Sequence, residues 1–249
     1  MCGRYAASRD EATLVAEFEV QRATDVVLAP DYNVAPTKEV YAVSTRTARG
    51  EDVPQRELAV ARWGLVPSWA KDPKIGSRMI NARWETAAEK PAFRRAFAKR
   101  RCLLPADGYY EWYTPSADDA PRGRSGKPLK QPYFIHPADD DVLAMAGLYE
   151  FWRDPERDPE DPDSWLRTVT ILTTSATDDL GRIHDRMPMC VQREQWTQWL
   201  DPDLSDVPQI RSLARPAAPG WLAAYPVSTQ VNSVRNNGPE LLVPIPPEA

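Results

Sequence analysis

Leu14, Val15 and Phe18 recur at helical spacing behind Ser8 and Glu11, which stand three apart as in a capping box, so the pattern predicts a helix over residues 9–18. Apolar runs of strand length follow at residues 40–44, 58–63, 102–104, 109–113, 132–136, 142–152, 167–174 and 222–227. The turn-forming Pro105, Ala106, Asp107 and Gly108 separate two of them. Thr86 and Glu89 repeat the capping spacing ahead of Pro91, and Phe93 and Phe97 share one side of a helix reaching residue 99. Trp196, Trp199 and Leu200 predict a short amphipathic helix from Arg193, and a second covers residues 207–214. Residues 31–37 and 71–78 read as loops, and 236–247 as an extended tail. Short strands outnumber helices throughout. The expected fold is therefore α+β: a single domain over residues 1–249 with a curved, largely antiparallel, barrel-like β core flanked by short helices. Loop excursions are expected at about 115–131 and 153–165.

Composition adds limits. With 42% apolar and 27% charged residues the chain is globular, and 25 prolines against 11 glycines imply many fixed turns. Three cysteines at wide separations form no disulfide framework and fit a reducing compartment. No apolar run resembles a signal peptide or a membrane span, so the expectation is a cytoplasmic protein, nuclear if the cell has a nucleus, with no membrane partner. A net charge of −5 argues against indiscriminate nucleic-acid binding. Basic clusters nevertheless occur at Arg94, Arg95, Lys99, Arg100 and Arg101 and at Arg122, Arg124, Lys127 and Lys130.

Chemistry concentrates at few positions. Cys2 follows the initiator methionine, so trimming of Met1 would expose a 1,2-aminothiol. A free α-amine with a pKa of about 7.7–8.0 is a usable nucleophile at neutral pH, and the thiol becomes one where positive charge lowers its pKa. Arg4 is the candidate for that charge. With an aldehyde the pair would close a thiazolidine ring; equally, Cys2 would serve as a small residue near the chain start. His184, in the polar run Arg182 to Pro188, suits a general acid or base, or a hydrogen-bonded loop. His136 reads as structural. Glu111 lies among Tyr109, Tyr110 and Trp112, where lost solvation would raise its pKa unless strand alternation turns it to water. Asn81 would orient a substrate or satisfy a turn. No paired Cys-x-x-Cys or His-x-x-x-His spacing, phosphate-cradling glycine loop or serine elbow occurs, so neither a metal nor a cofactor is expected. Trp69, Trp84 and Trp112 lie in polar segments, where their rings would stack on unpaired bases or pack into the core.

In sequence order, Met-Cys-Gly-Arg-Tyr at 1–5, Tyr-Asn-Val-Ala-Pro-Thr at 32–37, Arg-Trp-Gly-Leu-Val-Pro-Ser-Trp at 62–69 and Asn-Ala-Arg-Trp-Glu-Thr at 81–86 form one constellation. Arg-Cys-Leu-Leu-Pro-Ala-Asp-Gly-Tyr-Tyr-Glu-Trp at 101–112, Ala-Gly-Leu-Tyr-Glu at 146–150 and His-Asp-Arg-Met-Pro at 184–188 continue it. Pro-Val-Ser at 226–228 and Val-Asn at 231–232 complete it. Nearly end to end, the chain resembles the SOS response-associated peptidase (SRAP) family, shield proteins that crosslink to abasic sites in single-stranded DNA. The resemblance implies that Cys2 forms the thiazolidine with the ring-opened sugar, Asn81 positions nucleophile and sugar, and Glu111 is the active-site glutamate. It further implies that His184 opens the sugar ring and shuttles protons, and that Arg83 and Arg186 hold backbone phosphates. Arg4, Asn33, Pro36, Trp69 and Trp112 would line the strand groove. The expected partner is abasic single-stranded DNA, bound by a monomer. Trp84 departs from the small or polar residue usual at its place. Two other functions stay open: an N-terminal-nucleophile peptidase, acting on peptides or on Met1 alone, and a noncovalent single-strand binder.

Overall fold

The computed structural model describes residues 2–48, 50–115, 126, 128–158 and 160–246. Its strands are β1 (Tyr5–Ala7), β2 (Arg22–Ala23), β3 (Asp31–Val34), β4 (Glu39–Arg46), β5 (Gln55–Trp63), β6 (Asn81–Arg83) and β7 (Arg101–Ala106). Then come β8 (Gly108–Tyr113), β9 (Gln131–Pro137), β10 (Leu143–Arg153), β11 (Trp165–Ser175), β12 (Arg186–Pro188) and β13 (Leu222–Pro226). Short helices are α1 (Glu11–Glu17), α2 (Trp84–Ala87), α3 (Arg94–Lys99), α4 (Trp196–Leu200) and α5 (Val207–Leu213).

Two sheets build the β core. One runs β13-β9-β8-β1-β3; the other runs β12-β11-β10-β7-β4-β5-β2. In the second, β11 also pairs in parallel with β5 through Thr168↔Arg62 and Val169↔Trp63, closing β5-β4-β7-β10-β11 into a barrel. The expected α+β class and barrel-like curvature are thus present. Strand alternation divides the barrel's side chains between two clusters. Val40, Ala42, Cys102, Leu104, Val169 and Ile171 pack toward Tyr5, Tyr109 and Ile135 of the other sheet. Their neighbours Tyr41, Val43, Leu103 and Leu172 pack beneath the helices with Phe18, Phe97, Trp196 and Trp199.

Local chemistry differs from expectation in instructive places. Asp10, not Ser8, caps α1, its carboxylate accepting from the Thr13 N–H at 2.7 Å, while the Ser8 N–H donates to Asp107 at 2.7 Å. Residues 31–34, expected as loop, are the edge strand β3, and residues 73–78 form a 3-10 turn capped by Asp72. The helix expected from Pro91 to residue 99 begins only at Arg94 as α3, and Thr86, expected in its capping box, lies inside the separate helix α2. The base of the acidic excursion is closed by the Asp154 N–H, which donates to the Ser164 carbonyl at 2.7 Å, and within it Arg157 pairs with Asp161 at 3.2 Å. Most of the excursion expected at 115–131 lies outside the described residues.

Residues 64–80 leave the barrel after β5 and return as β6. The loop closes where Gly64 and Gly76 cross: a Cβ on Gly76 would sit 2.5 Å from the Gly64 carbonyl oxygen, and Gly64 itself has φ +124°. The Trp63 indole N–H donates to the Ile80 carbonyl at 2.9 Å, and the Ile171 N–H reaches the same oxygen at 3.1 Å. Both contacts set the height of Asn81. Gly76→Ala forces backbone apart and is expected to lower stability by about 1–3 kcal/mol, which urea unfolding monitored by tryptophan fluorescence will read.

Candidate functional site

Three separate pieces of backbone converge on Cys2. The first is its own segment, which runs antiparallel beside β8: Tyr5 pairs with Tyr109, and the Tyr110 N–H donates to the Arg4 carbonyl at 2.9 Å. Continued two residues, this register carries the chain start past Glu111. The second is β6, which lies parallel to β11 with Asn81 opposite Ile171. From there the Asn81 side-chain N–H donates to the Cys2 carbonyl at 2.7 Å. The third is the turn before β12, which carries His184 with Nε2 3.8 Å from Glu111 Oε2. Cys2, Asn81, Glu111 and His184 therefore meet, although 182 positions of sequence separate the first from the last.

Burial decides their protonation. Glu111 shares the inward face of β8 with Tyr109 rather than the wet face, and at 3% exposure its lost hydration lifts its pKa to about 7. His184 is pushed below its ordinary value, again chiefly by burial. Its Nδ1 lies 3.0 Å from both the Arg186 backbone N–H and an Asp185 carboxylate oxygen, contacts that demand opposite protonation of that nitrogen. The backbone donor is fixed in a strand, whereas Asp185 is 85% exposed, so Nδ1 is the acceptor and the proton sits on Nε2, facing Glu111. Asn81 Oδ1 is buried with no hydrogen-bond partner among the described residues. A carbonyl oxygen left so beside residue 2 is a ready acceptor for an amine or hydroxyl.

Cys2 itself is fully buried, and its thiol is pushed far above the ordinary range by burial first and by the Glu111 carboxylate second. The expectation that the Arg4 charge activates it fails on geometry. Arg4 Nη1 donates to Asn33 Oδ1 at 2.7 Å and to the Val231 carbonyl at 2.8 Å, and its guanidinium lies 5.6 Å from the Trp112 ring centre. Only its backbone N–H bears on the sulfur. Met1, whose removal would free the Cys2 nitrogen, lies outside the described residues.

The remaining expected residues divide. The Arg83 side chain is exposed and makes no hydrogen bond or ion pair among the described residues. Arg186 is held by Glu85, at 2.9 and 3.0 Å, and Glu85 in turn has its pKa pulled down to about 2, first by that bond. Asn33 is fully buried and donates to the carbonyls of Val231, Ser233 and Asn236, so with Arg4 it fastens residues 231–236 rather than lining an open surface. Trp112 is half-buried and donates to Asn232 Oδ1 at 2.7 Å. Pro36 is half-buried in the turn after β3. Trp69 is 61% exposed, at the edge of a groove of about 400 Å³ with Lys71, Lys74 and Arg78. Those three cations were missed by the sequence analysis. Their three- and four-residue spacing across 71–78 was the available signal. Trp84 turns away from the site, its ring centre 5.5 Å from that of Phe97, and His136 stacks on Phe134 at 5.6 Å. Among the described residues no cluster of His, Cys, Asp and Glu could hold a metal ion, and no helix is long and apolar enough to cross a membrane.

A barrel closed by a parallel pair, with a buried cysteine near the chain start beneath a Glu–His pair, defines a distinct class of protein. A family profile described as SOS response associated peptidase (SRAP) matches residues 1–234, and the chain belongs to that family. It is 38% identical to the abasic site processing protein YoqW of Bacillus subtilis, over 97% of this chain and 99% of that protein. The abasic site processing protein YedK of Escherichia coli is 31% identical, over 98% and 100%. The vertebrate relative HMCES of Gallus gallus, also named an abasic site processing protein, is 37% identical over 87% of this chain and 66% of its own length. A crystal structure of a protein from Bacteroides thetaiotaomicron superposes with a TM-score of 0.79 at 27% identity, covering 98% of this chain and all of that one.

Proposed function

We propose that this protein processes abasic sites in single-stranded DNA by capturing them covalently on Cys2 once Met1 has been removed. One observation carries the proposal: the Asn81 amide grips the Cys2 carbonyl at 2.7 Å, holding residue 2 beside Glu111 and His184. Only a chain-terminal cysteine offers both amine and thiol. The α-amine adds to the aldehyde carbon of the ring-opened sugar, and loss of water leaves a Schiff base. The Cys2 sulfur then adds to the same carbon while its proton passes to the nitrogen, so the products are a thiazolidine and water. A buried neutral thiol suits this order, because the amine reacts first and the sulfur acts within the same site. Glu111, near pKa 7, takes the proton that leaves the amine, and His184 Nε2–H relays protons to and from the sugar. Asn81 Oδ1 accepts from the amine or from a sugar hydroxyl.

Arg83, Arg186 and the exposed Trp69 grip the flanking strand through phosphate contacts and base stacking. The protein acts as a monomer in the cytoplasm, or in the nucleus of a cell that has one. Names carried by the relatives support the abasic-site role. The test is incubation of the full chain with matched abasic and intact single strands, followed by denaturing gels and intact mass. A heat-stable adduct on the abasic strand alone, absent in Cys2→Ala and accompanied by loss of Met1, is the expected result. Peptide turnover without an adduct favours a peptidase, and reversible binding to both strands a noncovalent binder.

A further inference from the structure

The two arginines at the rim of the site differ in state. Arg83 on β6 pairs with Thr173 of β11, and Arg186 on β12 pairs with Ser175 of the same strand, so they flank β11 from opposite sides. The Arg83 guanidinium is exposed and without a side-chain partner among the described residues. Arg186 has both terminal nitrogens on the Glu85 carboxylate, at 2.9 and 3.0 Å, with Nη2 also on the Thr173 carbonyl. Thr174 Oγ1 donates to the same carboxylate at 3.1 Å. A carboxylate gripped in this two-pronged way occupies the guanidinium as a phosphate group would. Glu85 is also 44% exposed, so an incoming anion meets the pair from solvent.

We infer that Glu85 is a built-in competitor for the strand: it holds Arg186 in the free protein and yields it when a phosphodiester arrives, and so sets the affinity for undamaged single strands. The inference rests on the strand passing over Arg83 and Arg186. Its consequence is selectivity, since a strand that must displace Glu85 is held weakly unless the lesion adds a covalent bond. Undamaged DNA is then released, while an abasic strand stays.

Anisotropy titration of a fluorescein-labelled intact oligonucleotide tests this without any covalent step. Wild type, Glu85→Gln, Arg186→Gln and the double variant are compared at several salt concentrations, with circular dichroism confirming the fold. The expected result is about fivefold tighter binding by Glu85→Gln, the scale of an exposed ion pair. The salt dependence should steepen by about one phosphate contact, and the gain should vanish in the Arg186→Gln background. Equal or weaker binding by Glu85→Gln overturns the inference, as does a gain that survives loss of Arg186. If Glu85→Gln does not fold, Glu85→Ala is measured in its place against the same outcomes. A wild type that binds no single strand at all overturns the strand reading itself and removes the role of Glu85 with it.

Discussion

Glu111→Gln should slow covalent capture of an abasic strand by about a hundredfold or more, the usual contribution of a positioned general base. The carboxyl is buried with a pKa of about 7, and His184 Nε2 stands 3.8 Å away, so it exchanges protons in the range where an α-amine must lose one. The rate in the native chain should rise from about pH 7 as Glu111 ionises, and Gln at that position should leave only the later rise of the α-amine, at about pH 7.7–8.0. A stopped assay from pH 5 to 9 reads both effects; an unchanged limb in the variant would remove Glu111 from the chemistry. Stability moves the opposite way. Because the folded pKa lies above the ordinary 4.5, this group favours the folded state below pH 4.5, and that advantage is lost as pH rises through 7. At pH 8 Glu111→Gln should therefore be more stable than the native chain by as much as about 3 kcal/mol, with the difference gone near pH 4. Thermal unfolding at the two pH values checks the sign.

Arg101→Met is expected to be the most damaging change far from the site, costing about 3–5 kcal/mol. Arg101 is 3% exposed and has no carboxylate partner among the described residues; its guanidinium serves the carbonyls of Phe97, Ala98, Trp199, Asp201 and Leu204 at 2.6–3.0 Å. One side chain thus ends α3 and α4 and pins the following loop to the barrel. Desolvation lowers its pKa to about 10, still far above neutrality, so the charge persists. Methionine fills similar space but leaves five carbonyls without their donor. A urea midpoint shift worth under about 1 kcal/mol would show that the backbone groups find other partners.

Arg101 also shows where sequence pattern stops. In the chain it stands in a run of five cations between 94 and 101 and reads as surface. In the fold Arg94 and Arg95 are exposed as that pattern implies, Arg100 pairs with Glu150, and Arg101 points inward. Alternation located the long strands because burial of one face is written at every second residue. It missed β3, whose Asp31, Tyr32 and Asn33 are polar because their partners are the β1 edge and the loop at 231–236. It also missed β6, three residues held by β11 alone. Residue type and motif order singled out Cys2, Asn81, Glu111 and His184, which the fold brings together. Their convergence was not legible, because it depends on the parallel closure of β11 onto β5, a pairing across more than a hundred residues. The direction of the Arg4 guanidinium was hidden for a similar reason: its acceptors are Asn33 Oδ1 and the Val231 carbonyl, 29 and 227 positions away.

Between β7 in the barrel and β8 in the second sheet stands a single residue, Asp107, whose N–H bonds to the Ala6 carbonyl at 2.8 Å and whose carboxylate takes the Ser8 N–H. So short a corner leaves no hinge. Glu111 rides on one side of it and the barrel that carries Asn81 on the other, so the short corner fixes how the two stand to each other. The pocket behaves as a die rather than a jaw: its outline is set before anything enters, and a guest has to fit that outline as it stands.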